Sequence, residues 1–282
     1  MEVFFNELSC TPLSANSKEA KEKIINLLLT LKALSNDGFN VMRTSSNIYS
    51  LELASDYTFA HFCNDPSVSR DLKLLLMGVT KTPYIEDVNS YEAEIFVLTD
   101  FKTKGTNDED LSPEGIASAF VFNSPTISLA GNVHWETDTL TLAVTPNDAN
   151  GNSYLENIPN VFSVTSVAGK PFRNWLNTLA IANQLNSKEN IIKEFPPDQF
   201  AFDARAIKEI ISWYYDDKRF IIRIKDLIND IVSNPFVGGK GHTETLGGER
   251  ASKRIIKKDR LVYSVSKNKI TIHQCRGHYE DN

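Results

Sequence analysis

Cutting RNA without a metal needs a base for the 2'-hydroxyl proton, fixed positive charge for the crowded phosphate, and an acid for the departing 5'-oxygen. The segment from Asn234 to Tyr279 holds one of each in Glu244, Arg260 and His278. Glu244 follows Gly238-Gly-Lys-Gly-His, a stretch too glycine-rich for helix, and on its own it reads as a solvated loop carboxylate. Arg260 opens the run Leu-Val-Tyr, where strand alternation sends it to the face opposite Leu261 and Tyr263. A guanidinium keeps its charge and offers a planar fork of donors, which suits a phosphate whose charge grows during reaction. Two neighbouring motifs point nowhere. His242-x-Glu244 lacks the later cysteine pair of a zinc deaminase, and Gly238-Gly-Lys-Gly lacks the spacing of a phosphate-binding Walker loop.

The elements that must carry these residues are a strand at Gln199-Phe-Ala-Phe, helices over 203–215 and 218–231, and three later strands. Ile207, Ile210, Ile211 and Tyr214 share one face of the first helix, and Ile224, Leu227, Ile228 and Ile231 one face of the second. The strands are Lys253-Arg-Ile-Ile-Lys, Leu261-Val-Tyr-Ser-Val and Lys269-Ile-Thr-Ile-His, with Ser266-Lys-Asn-Lys turning between the last two.

Two consecutive prolines in Phe195-Pro-Pro-Asp198 exclude helix and central strand, so residues 186–198 read as a linker between a domain over 1–185 and another over 199–282. The first domain reads as α+β. Asn16 with Glu19 starts a helix whose apolar positions are Ile24, Leu27, Leu28, Leu31 and Leu34, and a second helix covers Val68 to Gly78. Runs at Ala93–Leu98, Ala119–Phe122, Thr139–Val144 and Val161–Thr165 read as strands, and Phe172, Trp175, Leu176 and Leu179 mark a closing helix. His61 and His134-Trp-Glu136 are too isolated to make a site, and the role of this domain stays open.

Net charge is −6, yet it divides unevenly. From Asp198 onward 16 basic residues face 12 acidic ones, and the rest of the chain has 14 against 24, so a basic module sits behind an acidic one. The basic part suits a phosphate backbone, and the acidic part can repel RNA or mask the basic face. No apolar run is long enough to span a bilayer and the amino terminus lacks a basic signal flank, so a cytoplasmic protein is expected, with no membrane contact. Three scattered cysteines fit free thiols rather than a disulfide framework or a metal knuckle.

Taken in order, Trp213, Asp217-Lys-Arg, Asn234-Pro-Phe, Gly239-Lys-Gly with Glu244-Thr-Leu, Arg254-Ile, Asp259-Arg-Leu-Val-Tyr263 and Cys275-Arg-Gly-His-Tyr279 resemble the YoeB/Txe branch of the RelE toxin superfamily. The resemblance runs from about Phe200 to Tyr279 and is silent on the first two thirds of the chain. It implies an antiparallel sheet covered on one face by two helices, and an mRNA interferase that needs no cofactor. Its partners would be mRNA and the ribosomal A site. The family positions make Glu244 the base, Arg260 the phosphate stabiliser with Arg254 assisting, and His278 the acid, with Tyr279 stacking on a base or orienting the phosphate. Lys240, Lys253, Lys257 and Lys258 are assigned to RNA-backbone steering. A separate antitoxin, self-inhibition by the first domain and a homodimer are the partner expectations for control. The chain departs from the family in a short Leu246–Arg254 connection, in Asp259 beside Arg260 where a histidine is usual, and in the acidic Glu280-Asp-Asn282 after the tyrosine. Those departures keep a second reading alive: a degenerate toxin fold that grips RNA or ribosome, with function in the first domain.

Overall fold

The computed structural model describes residues 1–80, 90–147, 153–216, 218–255 and 259–277. They divide into two compact units. One comprises Met1–Val97, Phe101–Ala143 and Asn157–Asn174, and the other Leu98–Asp100, Val144–Glu156 and Trp175 onward.

The elements of the first part are β1 (Glu2–Phe5), α1 (Ser17–Ser35), β2 (Val41–Arg43), β3 (Glu52–Ala54), β4 (Tyr57–Thr58), α2 (Phe59–Asn64) and α3 (Arg70–Val79). Then come α4 (Ser90–Val97), β5 (Thr99–Lys104), β6 (Asp110–Leu111), α5 (Glu114–Val121), β7 (Thr126–Ile127), β8 (Thr139–Pro146), β9 (Tyr154–Val161), α6 (Val164–Val167) and α7 (Lys170–Ala182). Seven strands form one sheet in the order β2-β1-β7-β9-β8-β5-β6, and β1 pairs in parallel with both β2 and β7. α1 starts where Asn16 accepts the Glu19 amide at 3.0 Å, while the Glu19 carboxylate accepts the Ala15 amide. Its apolar stripe Ile24, Leu27, Leu28, Leu31 and Leu34 is buried.

Three of the expected strands are corrected. Ala93–Leu98 lies mostly in α4 and Ala119–Phe122 mostly in α5, while Val161–Thr165 is the end of β9 running into α6. Each is a short apolar run, for which periodicity alone does not separate strand from buried helix. The sheet combines these parallel pairs, and that of β7 with β9, with the mixed helix and strand content expected.

The second part begins with α8 (Lys188–Glu194), which occupies much of the stretch read as linker, and Phe195 behind it is buried against Phe200, 5.4 Å between ring centroids. There follow β10 (Phe200–Phe202), α9 (Ala204–Asp216), α10 (Lys218–Ser233), β11 (Thr243–Gly247), β12 (Arg250–Arg254), β13 (Arg260–Ser266) and β14 (Lys269–Gln274). The sheet order is β10-β14-β13-β12-β11, antiparallel except that β10 runs parallel to β14. On α9 Ala206, Ile210 and Trp213 are buried, so Ile210 of the expected stripe faces the core while Ile207, Ile211 and Tyr214 are half-buried. On α10 it includes Ile224, Leu227, Ile228 and Ile231. No helix among the described residues is long and apolar enough to cross a membrane.

Candidate active site

Glu244 lies in a strand rather than a loop. Thr243-Glu-Thr alternates well enough to pair with β12, and Gly247 and Gly248, with φ of 92° and 61°, turn the chain back within two residues. The short Leu246–Arg254 connection is therefore a tight hairpin. Its register sets Glu244 beside Ser252 and Ser252 beside Val262, and one row along sets Arg254 beside Arg260. Lys253, Leu261 and Tyr263 alternate to the other face, where Lys253 meets Asp230 of α10 and the Tyr263 hydroxyl donates to the Pro235 carbonyl. Glu244, Arg254 and Arg260 thus share the face opposite α10. Standard sheet spacings put the Cα atoms of Glu244 and Arg260 roughly 12 Å apart, within the joint reach of two long side chains to one phosphate. Arg260 is buried, and Glu244 and Arg254 are half-buried.

Lys253 does not fit the RNA-steering set. Its side chain is 0% exposed and its Nζ lies 2.8 Å from Asp230, donating also to the Gly238 carbonyl, the Lys240 carbonyl and the Thr243 hydroxyl. A buried ammonium persists only when paired and fully hydrogen-bonded, and this one is. Asp230 is the hub: it also accepts the Lys240 amide at 2.9 Å and the Asn234 side-chain amide at 3.0 Å, wrapping the glycine loop around the end of α10. A Cβ on Gly239 would come 2.2 Å from the Asp230 carboxylate, and Gly239 has φ of 75°. Lys240 is held by Asp226 at 3.0 Å. Asp230 escaped the sequence reading, although a carboxylate beside the apolar stripe of α10 was a signal that some cation must meet it.

The last described residues form a turn fixed from three sides. Glu209 of α9 accepts the amides of Cys275 and Arg276 at 2.6 and 3.0 Å, and the Trp213 indole donates to the Cys275 carbonyl. Arg276 lies over the Trp213 ring, 4.1 Å from its centroid, and pairs with Asp216, whose carboxyl it holds below the usual range. Asp259 accepts the Gly277 amide at 2.7 Å, and the Arg260 amide donates to the Gly277 carbonyl at 3.3 Å. Asp259 therefore ties down the turn. With φ of 76°, Gly277 takes a backbone conformation that side chains resist. His278, Tyr279, Lys257 and Lys258 lie outside the described residues. Among the described residues no cluster of three potential metal ligands occurs.

A second feature of this unit is Arg223 of α10, whose guanidinium donates to Glu156 at 2.8 Å, with both side chains almost fully buried. Burial alone would loosen the Arg223 proton, but Glu156 and Tyr154 hold it more firmly than in an ordinary arginine. Both residues come from Val144–Glu156, the stretch from the β8–β9 hairpin that belongs to the second unit.

A family model described as a YoeB-like toxin of bacterial type II toxin–antitoxin systems matches residues 202–279. Toxin YoeB of Escherichia coli (strain K12) is 38% identical over 74 residues, which are 25% of this chain and 87% of that toxin. Toxin RelK of Mycobacterium tuberculosis (strain ATCC 25618 / H37Rv) is 36% identical over 81 residues, 28% of this chain and 94% of the relative. Among solved structures, the YoeB/ParE toxin from Agrobacterium tumefaciens is 31% identical, matching 29% of this chain and 99% of its own, with a TM-score of 0.27. The YoeB–YefM complex from Staphylococcus aureus is 30% identical over 28% of this chain and 95% of its own, also with a TM-score of 0.27. Residues 1–201 lie outside the family match. Through its carboxy-terminal domain the chain belongs to the family of YoeB-like toxins of type II toxin–antitoxin systems.

Proposed function

We propose that the carboxy-terminal domain is an endoribonuclease that cuts mRNA in the ribosomal A site by internal attack of a 2'-hydroxyl. Glu244 takes the 2'-hydroxyl proton as the oxygen attacks phosphorus, Arg260 and Arg254 stabilise the charge on the phosphate, and His278 delivers a proton to the departing 5'-oxygen. The products are a 2',3'-cyclic phosphate and a 5'-hydroxyl. Tyr279 stacks on a base or orients the phosphate, and no metal is required because base, cation and acid are all side chains. The observation that carries this reading is the register: Glu244, Arg254 and Arg260 share one sheet face. The test is to map mRNA ends on translating ribosomes with wild type, Glu244→Gln and His278→Ala, with and without EDTA. Cleavage that survives EDTA and disappears in both variants supports the reading.

An acidic first domain with an unknown partner also favours intramolecular restraint. The Glu156–Arg223 pair, internal to the second unit, is the place to test it, because the Val144–Glu156 stretch is joined along the chain to residues of the first unit. Control by a separate antitoxin is the alternative, and a YoeB–YefM complex is known for the Staphylococcus aureus relative. Glu156→Gln in the full chain discriminates: greater growth inhibition than wild type, without antitoxin present, supports restraint.

A further inference from the structure

The Asp203 carboxylate accepts or shares a proton with His273 Nδ1 at 2.9 Å, and His273 Nε2 meets the Ser264 hydroxyl at 2.9 Å. This is the connectivity of a Ser–His–Asp triad, but it does not make a hydrolase. Ser264 lies in β13, paired on both sides by β12 and β14, so its surrounding amides serve the ladders and none is positioned as an oxyanion donor. What the network does is fix the plane of the imidazole, since both ring nitrogens are committed.

The place of that ring is what matters. Thr271 is the β14 partner of Ser264, and Arg250 is its β12 partner, so Arg250, Ser264 and Thr271 form one row across the sheet. His273, two residues beyond Thr271, takes the same face by strand alternation, and it is the extra β14 residue between the Tyr263–Ile272 and Val262–Gln274 pairings. That row lies next to the row of Glu244, Ser252 and Val262, about 7 Å along the strands, a distance on the scale of one nucleotide. Arg250 is exposed, and the His273 side chain keeps 26% of its surface open. The β10 residue on this face, Ala201, is small and pairs with Thr271.

We propose that His273, oriented by Asp203 and Ser264, is a stacking platform for the RNA base one nucleotide away from the scissile phosphate, and that Arg250 takes the phosphate of that nucleotide. A single-stranded RNA is the ligand class, because a half-buried ring held by both its nitrogens on the sheet face that carries an exposed guanidinium pairs a stacking surface with a phosphate fork for an unstacked base. The proposal rests on the endoribonuclease reading for its choice of face, and its test does not depend on cleavage.

The test is fluorescence anisotropy of the full chain with a short single-stranded RNA carrying a 2'-deoxy sugar at the cleavage position, across a series of salt concentrations. His273→Ala should weaken binding roughly 5- to 150-fold, and His273→Phe, which keeps a ring without the hydrogen bonds, should recover most of it. Arg250→Ala should lower the slope of log affinity against log salt by about 0.7, a change that a merely structural role would not produce. The folding of each variant is checked by thermal melting, and Arg250, being exposed, is the variant least able to fail by unfolding. Unchanged affinity in His273→Ala, an unchanged salt slope in Arg250→Ala, or no binding by wild type would each overturn the proposal. Wild-type binding with the expected variant losses but no cleavage of the all-ribose RNA on ribosomes by either wild type or Glu156→Gln would leave the subsite standing and overturn the nuclease reading instead.

Discussion

One position separates the proposed catalytic face of β12 from the face packed on α10. Arg254 and Lys253 are adjacent basic residues, and a sequence gives them the same value as phosphate ligands. Strand alternation sends Arg254 toward Arg260 and buries Lys253 against Asp230, 23 residues earlier in the chain, a tertiary partner that charge counting does not reveal. Lys253→Met should therefore act on stability, by about 3–5 kcal/mol, because it leaves Asp230 buried without its cation. Urea denaturation checks this, and the salt dependence of RNA binding should not change. Glu244→Gln should do the opposite, reducing cleavage by about 10²–10⁴ with an unaltered denaturation midpoint. Of the thiols, burial pushes Cys10 up to about 12 and Cys275 well above its ordinary range. Alkylation of the native protein should consequently label Cys63, which is less buried, ahead of both, as mass spectrometry would show.

At the scale of elements, the long periodic helices were legible and the short pieces were not. α1 and α10 carry apolar positions repeated over several turns, so their inward faces follow from spacing. The run at Ala119–Phe122 is four residues long and is equally apolar in either state, and only its packing in α5 decides. β11 was hidden for a different reason: glycines before it read as loop, yet they turn the chain around Asp230 and deliver Thr243 into register with Lys253. The terminal turn was legible as a motif but not as a device. Glu209 and Asp259 hold Cys275–Gly277 from α9 and from the start of β13, and a residue displaced by an ångström at such a point costs on the order of 10²-fold in rate. Asp259→Ala should lower kcat by about that factor with KM little changed, measured on programmed ribosomes, because it frees the turn without touching Glu244.

Across the whole molecule, charge asymmetry was visible in composition, whereas the contribution of Val144–Glu156 to the second unit was not, since it depends on a hairpin whose partner, Arg223, lies far along the chain. The first unit has its own electrostatic signature. Burial pushes Glu7 up to about 7, although the Gly115 amide donates to its carboxylate at 2.8 Å. A carboxyl group whose folded pKa is raised binds its proton more tightly when folded, so its contribution to stability is greatest below about pH 4.5 and is lost as pH rises toward 7. Glu7→Gln should flatten that decline, on the order of 3 kcal/mol across the window, in urea melts at pH 4.5 and 8.

The measurement that bears most directly on the central claim is the mapping of mRNA ends on translating ribosomes in the presence of the full chain, Glu156→Gln, and Glu156→Gln combined with Glu244→Gln. The account predicts A-site cleavage leaving 2',3'-cyclic phosphate ends by Glu156→Gln, and its loss in the double variant. Absence of cleavage from folded wild type and folded Glu156→Gln alike, or cleavage that persists when Glu244 is gone, would contradict it.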